Sequence, residues 1–133
     1  MVRRQYDLGA AELEVLKVLW EHGPATVREV LMRLHEAGRR VAYTTVQTLL
    51  TRLEQKRCAA CDKSGLAFVY RARLTRERVT RSRLKAMVNQ LYDGAAGPLV
   101  LQLIRTEHFT AQEIDELQKL SERLELHAKE PGQ

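Results

Sequence analysis

Two cysteines in 133 residues, Cys58 and Cys61, are too few for a disulfide framework, and a reducing compartment would keep both as thiols. No apolar run reaches the roughly 18 residues of a membrane span. Residues 1–6 lack the apolar core and small-residue cleavage site of a signal peptide. Together these gaps predict a cytoplasmic protein, not inserted in a membrane and held together by packing. The histidines His22, His35, His108 and His127 form no HxxxH or HxH pair, so no metal centre is expected. There is also no glycine-rich phosphate loop, no GxSxG elbow and no close carboxylate pair in a plausible pocket segment. Enzymatic chemistry and a cofactor are therefore not expected. Repeats and low-complexity tracts are missing too.

What the chain has is unevenly placed charge. Residues 1–74 hold 13 Lys/Arg against 8 Asp/Glu, residues 75–92 hold 5 against 1, and residues 93–133 hold 4 against 8. The balances of +5, +4 and −4 make the first two thirds basic and the end acidic. A basic segment of this kind suits a polyanion, although solvated surfaces carry such charge as well.

The apolar positions are helical for most of the length. Leu13, Leu16, Leu19 and Trp20 recur at spacings of three and four, up to Gly23-Pro24. Thr26 with Glu29 reads as a capping box for a second helix, whose stripe of Val30, Leu31 and Leu34 runs to Gly38. After Arg39-Arg40, Thr44 with Gln47 offers another capping pair, for a third helix buried through Val46, Leu49, Leu50 and Leu53. Ala67-Phe68-Val69-Tyr70 has strand content, and a Ser64-Gly65 turn predicts a hairpin. Thr75 caps a fourth helix carrying Val79, Leu84, Met87, Val88 and Leu91, and Gly94 and Gly97-Pro98 are expected to break it. A short apolar helix follows at 99–104. Thr110 with Glu113 then opens a last helix through Ile114, Leu117, Leu120 and Leu124.

Three helices followed by a hairpin is the order of a winged helix. The expected fold is therefore mainly α with a small β wing. A winged helix-turn-helix DNA-binding domain at 1–74 precedes a helical dimerisation domain at 75–128 and a disordered tail at 129–133. Residues 99–104 are apolar nearly all round and need burial, for which a second copy of the chain is the simplest cover. Leu91, Leu99, Leu101, Leu103, Ile104 and Leu117 are the expected dimerisation residues.

The third helix turns Thr44, Thr45, Gln47, Thr48, Thr51 and Arg52 away from its apolar stripe. Hydroxyls and amides bond phosphates and base edges, Gln pairs bidentately with adenine, and a threonine methyl can touch that of thymine. A merely wet helix surface would favour better helix formers than four threonines. Arg39, Arg40, Arg52, Lys56, Arg57, Lys63, Arg71 and Arg73 surround this face and the hairpin as phosphate contacts would. Thr44, Thr45, Gln47, Thr48, Arg52, Arg40 and Lys63 are thus the expected DNA-binding residues.

Cys58-Ala59-Ala60-Cys61 has the spacing of half a zinc site or of a redox pair. A metal would need two more ligands, and no His or Cys lies nearby in sequence. The plainer reading is a thiol at Cys58 filling an apolar slot, with Cys61 incidental.

These residues resemble the penicillinase repressor and methicillin-resistance repressor family, which also includes copper-responsive repressors of bacteria. The resemblance spans nearly the whole chain. It is carried by Leu8, Glu12-Leu13-Glu14-Val15-Leu16 and Leu19-Trp20, by Thr26-Val27-Arg28-Glu29-Val30, and most specifically by Tyr43-Thr44-Thr45-Val46-Gln47-Thr48-Leu49-Leu50-Thr51-Arg52-Leu53. Phe68-Val69-Tyr70 is similar to the family's wing strand. Val88-Asn89-Gln90-Leu91-Tyr92-Asp93-Gly94, Leu99-Val100-Leu101 and Glu113-Ile114-Asp115-Glu116-Leu117 are similar to its dimerisation domain.

The resemblance implies a homodimer that binds a palindromic double-stranded operator, with each third helix in the major groove. In the drug-resistance members a membrane metalloprotease that senses β-lactams cuts the short helix of the dimerisation domain. The matching bond is Gln102-Leu103, where those members carry Asn-Phe. Gln47 stands where they place an Arg, and Arg57 where the third helix usually ends in Gly. The copper-responsive members carry a cysteine cluster near the C-terminus, and residues 62–133 here have no Cys. Two other functions remain to be weighed against repression: a winged-helix protein-interaction module, and a thiol redox sensor built on Cys58 and Cys61.

Overall fold

A computed structural model of the chain describes residues 7–129. The stretch 1–6 and the expected tail, apart from Lys129 at the end of the last helix, lie outside the described residues.

The N-terminal core forms where three amphipathic helices bring their stripes together. Helix α1 (Ala10–His22) buries Val15, Leu16, Val18 and Leu19. Helix α2 (Val27–Glu36) opens on the expected capping box: Thr26 Oγ1 accepts from the Glu29 N–H at 3.2 Å, and Glu29 Oε1 accepts from the Thr26 N–H at 2.8 Å. Helix α3 (Tyr43–Gln55) contributes Val46, Leu49, Leu50 and Leu53.

The capping pair expected at Thr44 and Gln47 does not form. The helix starts one residue earlier, with Ala42 at its N-cap and no side-chain cap. The hydroxyls of this helix turn back onto it instead: Thr48 Oγ1 donates to the Thr44 carbonyl and Thr51 Oγ1 to the Gln47 carbonyl, both at 2.9 Å.

The sheet is antiparallel with three strands, one more than the hairpin expected. Strand β1 (Ala25–Thr26) pairs with β3 (Val69–Ala72), and β3 pairs with β2 (Ala59–Asp62), in the order β1-β3-β2. Strand β3 begins two residues later than Ala67, and Phe68 stays in the loop before it. Cys61 lies opposite Tyr70, which is buried.

The turn from α3 into β2 fixes where the wing stands. Arg57 takes φ 63°, its N–H donates to the Glu54 carbonyl at 3.0 Å, and the Cys58 N–H donates to the Leu53 carbonyl at 2.8 Å. This is the Schellman closure that Gly38, at φ 85°, provides after α2. Arginine in this left-handed conformation costs on the order of 1 kcal/mol more than glycine. The closure delivers Cys58 into the core, where it is 1% exposed.

Helix α4 (Arg76–Tyr92) is capped by Thr75, whose Oγ1 accepts from the Arg78 N–H at 3.1 Å. Its first turn packs on the N-terminal core through Val79. The Trp20 indole N–H donates to the Leu74 carbonyl at 2.7 Å, Arg83 Nη2 donates to the Leu8 carbonyl at 2.9 Å, and the Arg76 guanidinium lies 5.4 Å from the Trp20 ring centre.

From residue 80 to 128 no side chain is buried. Helix α5 (Ala96–Thr106) is longer than the expected 99–104, because Gly97-Pro98 does not break the chain; Asp93-Gly94-Ala95 does. Pro98 occupies the first turn, where a backbone N–H would have no helical partner. Helix α6 (Ala111–Lys129) opens on the expected box, with Thr110 N–H to Glu113 Oε1 at 2.9 Å and Glu113 N–H to Thr110 Oγ1 at 3.1 Å. Leu84, Met87, Leu91, Val100, Leu101, Leu103, Ile104, Ile114, Leu120 and Leu124 are all at least 41% exposed, whereas Leu99 and Leu117 are half-buried.

Candidate nucleic-acid interface

With its apolar stripe locked into the core, α3 presents Thr44, Thr45, Gln47, Thr48, Thr51 and Arg52 to solvent on one face. The back-bonded hydroxyls of Thr48 and Thr51 keep their oxygen lone pairs and leave the methyl groups exposed. That face is therefore rich in acceptors and methyls, with the Gln47 amide, the Arg52 guanidinium and the hydroxyls of Thr44 and Thr45 as its donors.

The wing is fastened to the far end of this helix. Lys63 Nζ lies 3.6 Å from Glu54 Oε2 and 5.6 Å from the Phe68 ring centre. Between strand and helix, Tyr70 is buried opposite Cys61 of the neighbouring strand. Burial pushes its pKa up, as do the hydrogen bond and charge of Cys61 and the charge of Glu54, against the opposing Thr51 hydrogen bond. Burial likewise pushes the Cys58 thiol up.

The surrounding cations separate into two sets. Arg39 is paired with Glu14 at 3.0 Å, Lys63 with Glu54, and Lys56 with Glu12. Arg40, Arg52, Arg57, Arg71 and Arg73 are exposed and make no ion pair among the described residues.

Lys56 points away from the face it was expected to flank. Its Nζ donates to Glu12 Oε1 at 2.7 Å and also to the Asp7 carbonyl. Glu12 is buried in α1, and the Gly9 N–H donates to the same carboxylate oxygen at 2.8 Å. Burial pushes the Glu12 carboxyl up, but the bonds from Lys56 and Gly9 and the charges of Lys56 and Arg52 outweigh it, leaving the pKa below the ordinary value. A depressed folded-state pKa contributes stability above the unfolded value that is lost as pH falls through the folded one. Glu12→Gln is thus expected to destabilise by about 1–2 kcal/mol near pH 7, with the gap closing below about pH 4. Thermal melts of both proteins across that range check it. A gap that ignores pH would remove the ion pair from this account.

Two contacts around α3 join residues distant in the chain. The Glu12–Lys56 pair joins residues 44 apart and leaves no local pattern. Tyr43, at the first position of α3, has the Arg28 guanidinium 5.9 Å from its ring centre. Here a signal existed: Arg28 is a cation in the first turn of α2, the end of a helix that disfavours cations.

The sequence model of the penicillinase repressor family matches residues 8–123. The chain belongs to the penicillinase repressor family. It is 30% identical over 124 residues to the penicillinase repressor of Bacillus licheniformis, covering 93% of this chain and 96% of that one. To the methicillin resistance regulatory protein MecI of Mammaliicoccus sciuri it is 26% identical over 120 residues, 90% and 97% of the two chains. Among solved structures it is similar to the DNA-binding domain of the repressor BlaI, with a TM-score of 0.50 and 31% identity over 58% of this chain and 93% of that one. Membership of the penicillinase repressor family makes the chain a repressor and not an enzyme, and the BlaI likeness covers the winged-helix half.

Proposed function

We infer that this penicillinase repressor family member acts as a homodimer on a palindromic double-stranded operator, laying α3 of each chain in the major groove. The observation that carries the reading is the exposed face of Thr44, Thr45, Gln47, Thr48 and Arg52, with the unpaired Arg40 beside it. Phosphate contacts position such a protein and base-edge contacts specify its site. Gln47 is assigned to a base edge and Arg40 and Arg52 to the backbone, with Lys63, already held by Glu54, as a weaker backbone contact. The division of labour places DNA binding in residues 1–74 and dimerisation in 75–128, through Leu91, Leu99, Leu101, Leu103, Ile104 and Leu117.

Its place of action is the cytoplasm, where the operator is; among the described residues no helix is long and apolar enough to cross a membrane. Relief of repression by a membrane metalloprotease is carried over from the family resemblance: Gln102 and Leu103 are open in the single chain, and in the dimer their bond is reached only once the contact through α5 parts. A protease takes its substrate extended, so that bond is cut only when the middle of α5 opens.

Two substitutions test the face. Gln47→Ala is expected to relax preference at one base pair in each half-site, removing about 1–3 kcal/mol of discrimination, whereas Arg52→Ala weakens binding to every sequence alike. Gel shifts on a panel of single-base operator variants read both. Unchanged affinity and preference in Gln47→Ala would show that another surface does the reading.

A further inference from the structure

Tyr43 and Arg28 form a unit that the face just described leaves unused. Tyr43 opens α3 and is 42% exposed, a large amount for an aromatic ring beside a closed core. Side chains in a helix lean toward its N-terminus, so the first residue reaches ahead of the helix end. Tyr43 and Gln47 are also separated by four residues, which places them one turn apart on the same edge of the reading face.

Arg28 comes from a different helix and stands over that ring. In the first turn of α2 its charge opposes the helix dipole, and no carboxylate pairs with it among the described residues. A guanidinium resting on a ring face leaves its N–H donors available, and these fit phosphate oxygens bidentately. A cation unfavourable to its own helix, set beside the leading end of the groove helix, is accounted for by an anion outside the protein.

We propose that Tyr43 is a specificity-determining residue that packs its ring against the 5-methyl group of a thymine next to the base pair read by Gln47, and that Arg28 is its positioning residue, holding the ring by its cation while bonding the flanking phosphate. The proposal rests on α3 entering the major groove. Thymine suits the ring because its methyl is the one apolar group that the major-groove edge of a base pair offers.

The test uses the full chain and a duplex that it selects from a random pool. Each thymine of that duplex is replaced in turn by uracil, which deletes only the methyl group. For the parent, one replacement in each half-site is expected to weaken binding about fourfold, the effect of one buried methyl group. Tyr43→Ala is expected to bind the thymine and uracil duplexes equally, while Tyr43→Phe keeps the fourfold preference. Arg28→Ala is expected to blunt that preference and to reduce the salt slope of binding by about one per half-site, the slope returning in Arg28→Lys. Retention of the parent's uracil sensitivity by Tyr43→Ala overturns the proposal while leaving the groove reading intact. Failure of Gln47→Ala and of every uracil substitution to alter binding overturns both. Tyr43 is exposed, and an unchanged thermal midpoint in its variants separates lost recognition from lost folding.

Discussion

Leu103→Asp is expected to turn the proposed dimer into a monomer and to weaken binding to a palindromic operator by about 10²- to 10⁴-fold, although no residue near the DNA has changed. Leu103 lies in α5 at 44% exposure, beside Val100, Leu101 and Ile104 that are just as open. Apolar area of this extent on three successive helices needs a partner surface. An aspartate in the contact would be desolvated without a counter-charge, at a penalty larger than a marginal interface tolerates. The N-terminal core is indifferent to the change, because nothing beyond Val79 is buried in it. Each winged helix then binds its half-site alone, and the gain from a tethered second contact disappears. Light scattering and a gel shift on one sample decide the matter. A variant that remains dimeric, or a monomer that grips the palindrome as tightly as the parent, would sink this account of the C-terminal helices.

Raising salt from about 50 to about 200 mM is expected to weaken operator binding by about 10³- to 10⁵-fold. The expected size rests on the five arginines that make no ion pair among the described residues, Arg40, Arg52, Arg57, Arg71 and Arg73, counted on each chain of the proposed dimer. Six to ten phosphates neutralised together would release enough condensed counterions to produce a loss of that size. The paired Arg39, Lys56 and Lys63 should add little, since each already has a carboxylate at hand. A slope near zero in a plot of log affinity against log salt would favour a protein-interaction module. Oxidation of the thiols at fixed salt probes the remaining alternative. Cys58 is buried with its thiolate disfavoured, so parent affinity is expected to survive mild oxidant.

What the sequence made legible followed from local chemistry. The boxes at Thr26–Glu29 and Thr110–Glu113 and the cap at Thr75 formed because each needs only a side chain and a backbone group three residues away. Thr44–Gln47 matched the same pattern and failed. Tyr43 could start the helix one residue earlier, and once Thr44 lay inside a helix its hydroxyl could no longer cap it. Strand β1, two residues long, carries no alternation to detect. Gly97-Pro98 misled because the two residues look like a stop, yet both are tolerated in a first helical turn. The polar face of α3 was readable from the spacing of Val46, Leu49, Leu50 and Leu53. Which cations serve that face was not, because Glu12, Glu14 and Glu54 claim Lys56, Arg39 and Lys63 only after folding brings them together.

Trp20 is the only tryptophan in the chain, and its indole is set where α1, Leu74 two residues past β3, and the first turn of α4 meet. Ultraviolet emission from the protein therefore originates almost wholly at the joint between the reading unit and the helices that follow it. Loss of the indole bond to Leu74, or withdrawal of Arg76 from the ring, would change the wetness of that joint and shift the colour of the emission. Events at the wing tip or along α6 would leave the emission unchanged. The chain thus carries a built-in, label-free optical gauge of one joint, the packing of the first turn of α4 on the N-terminal core.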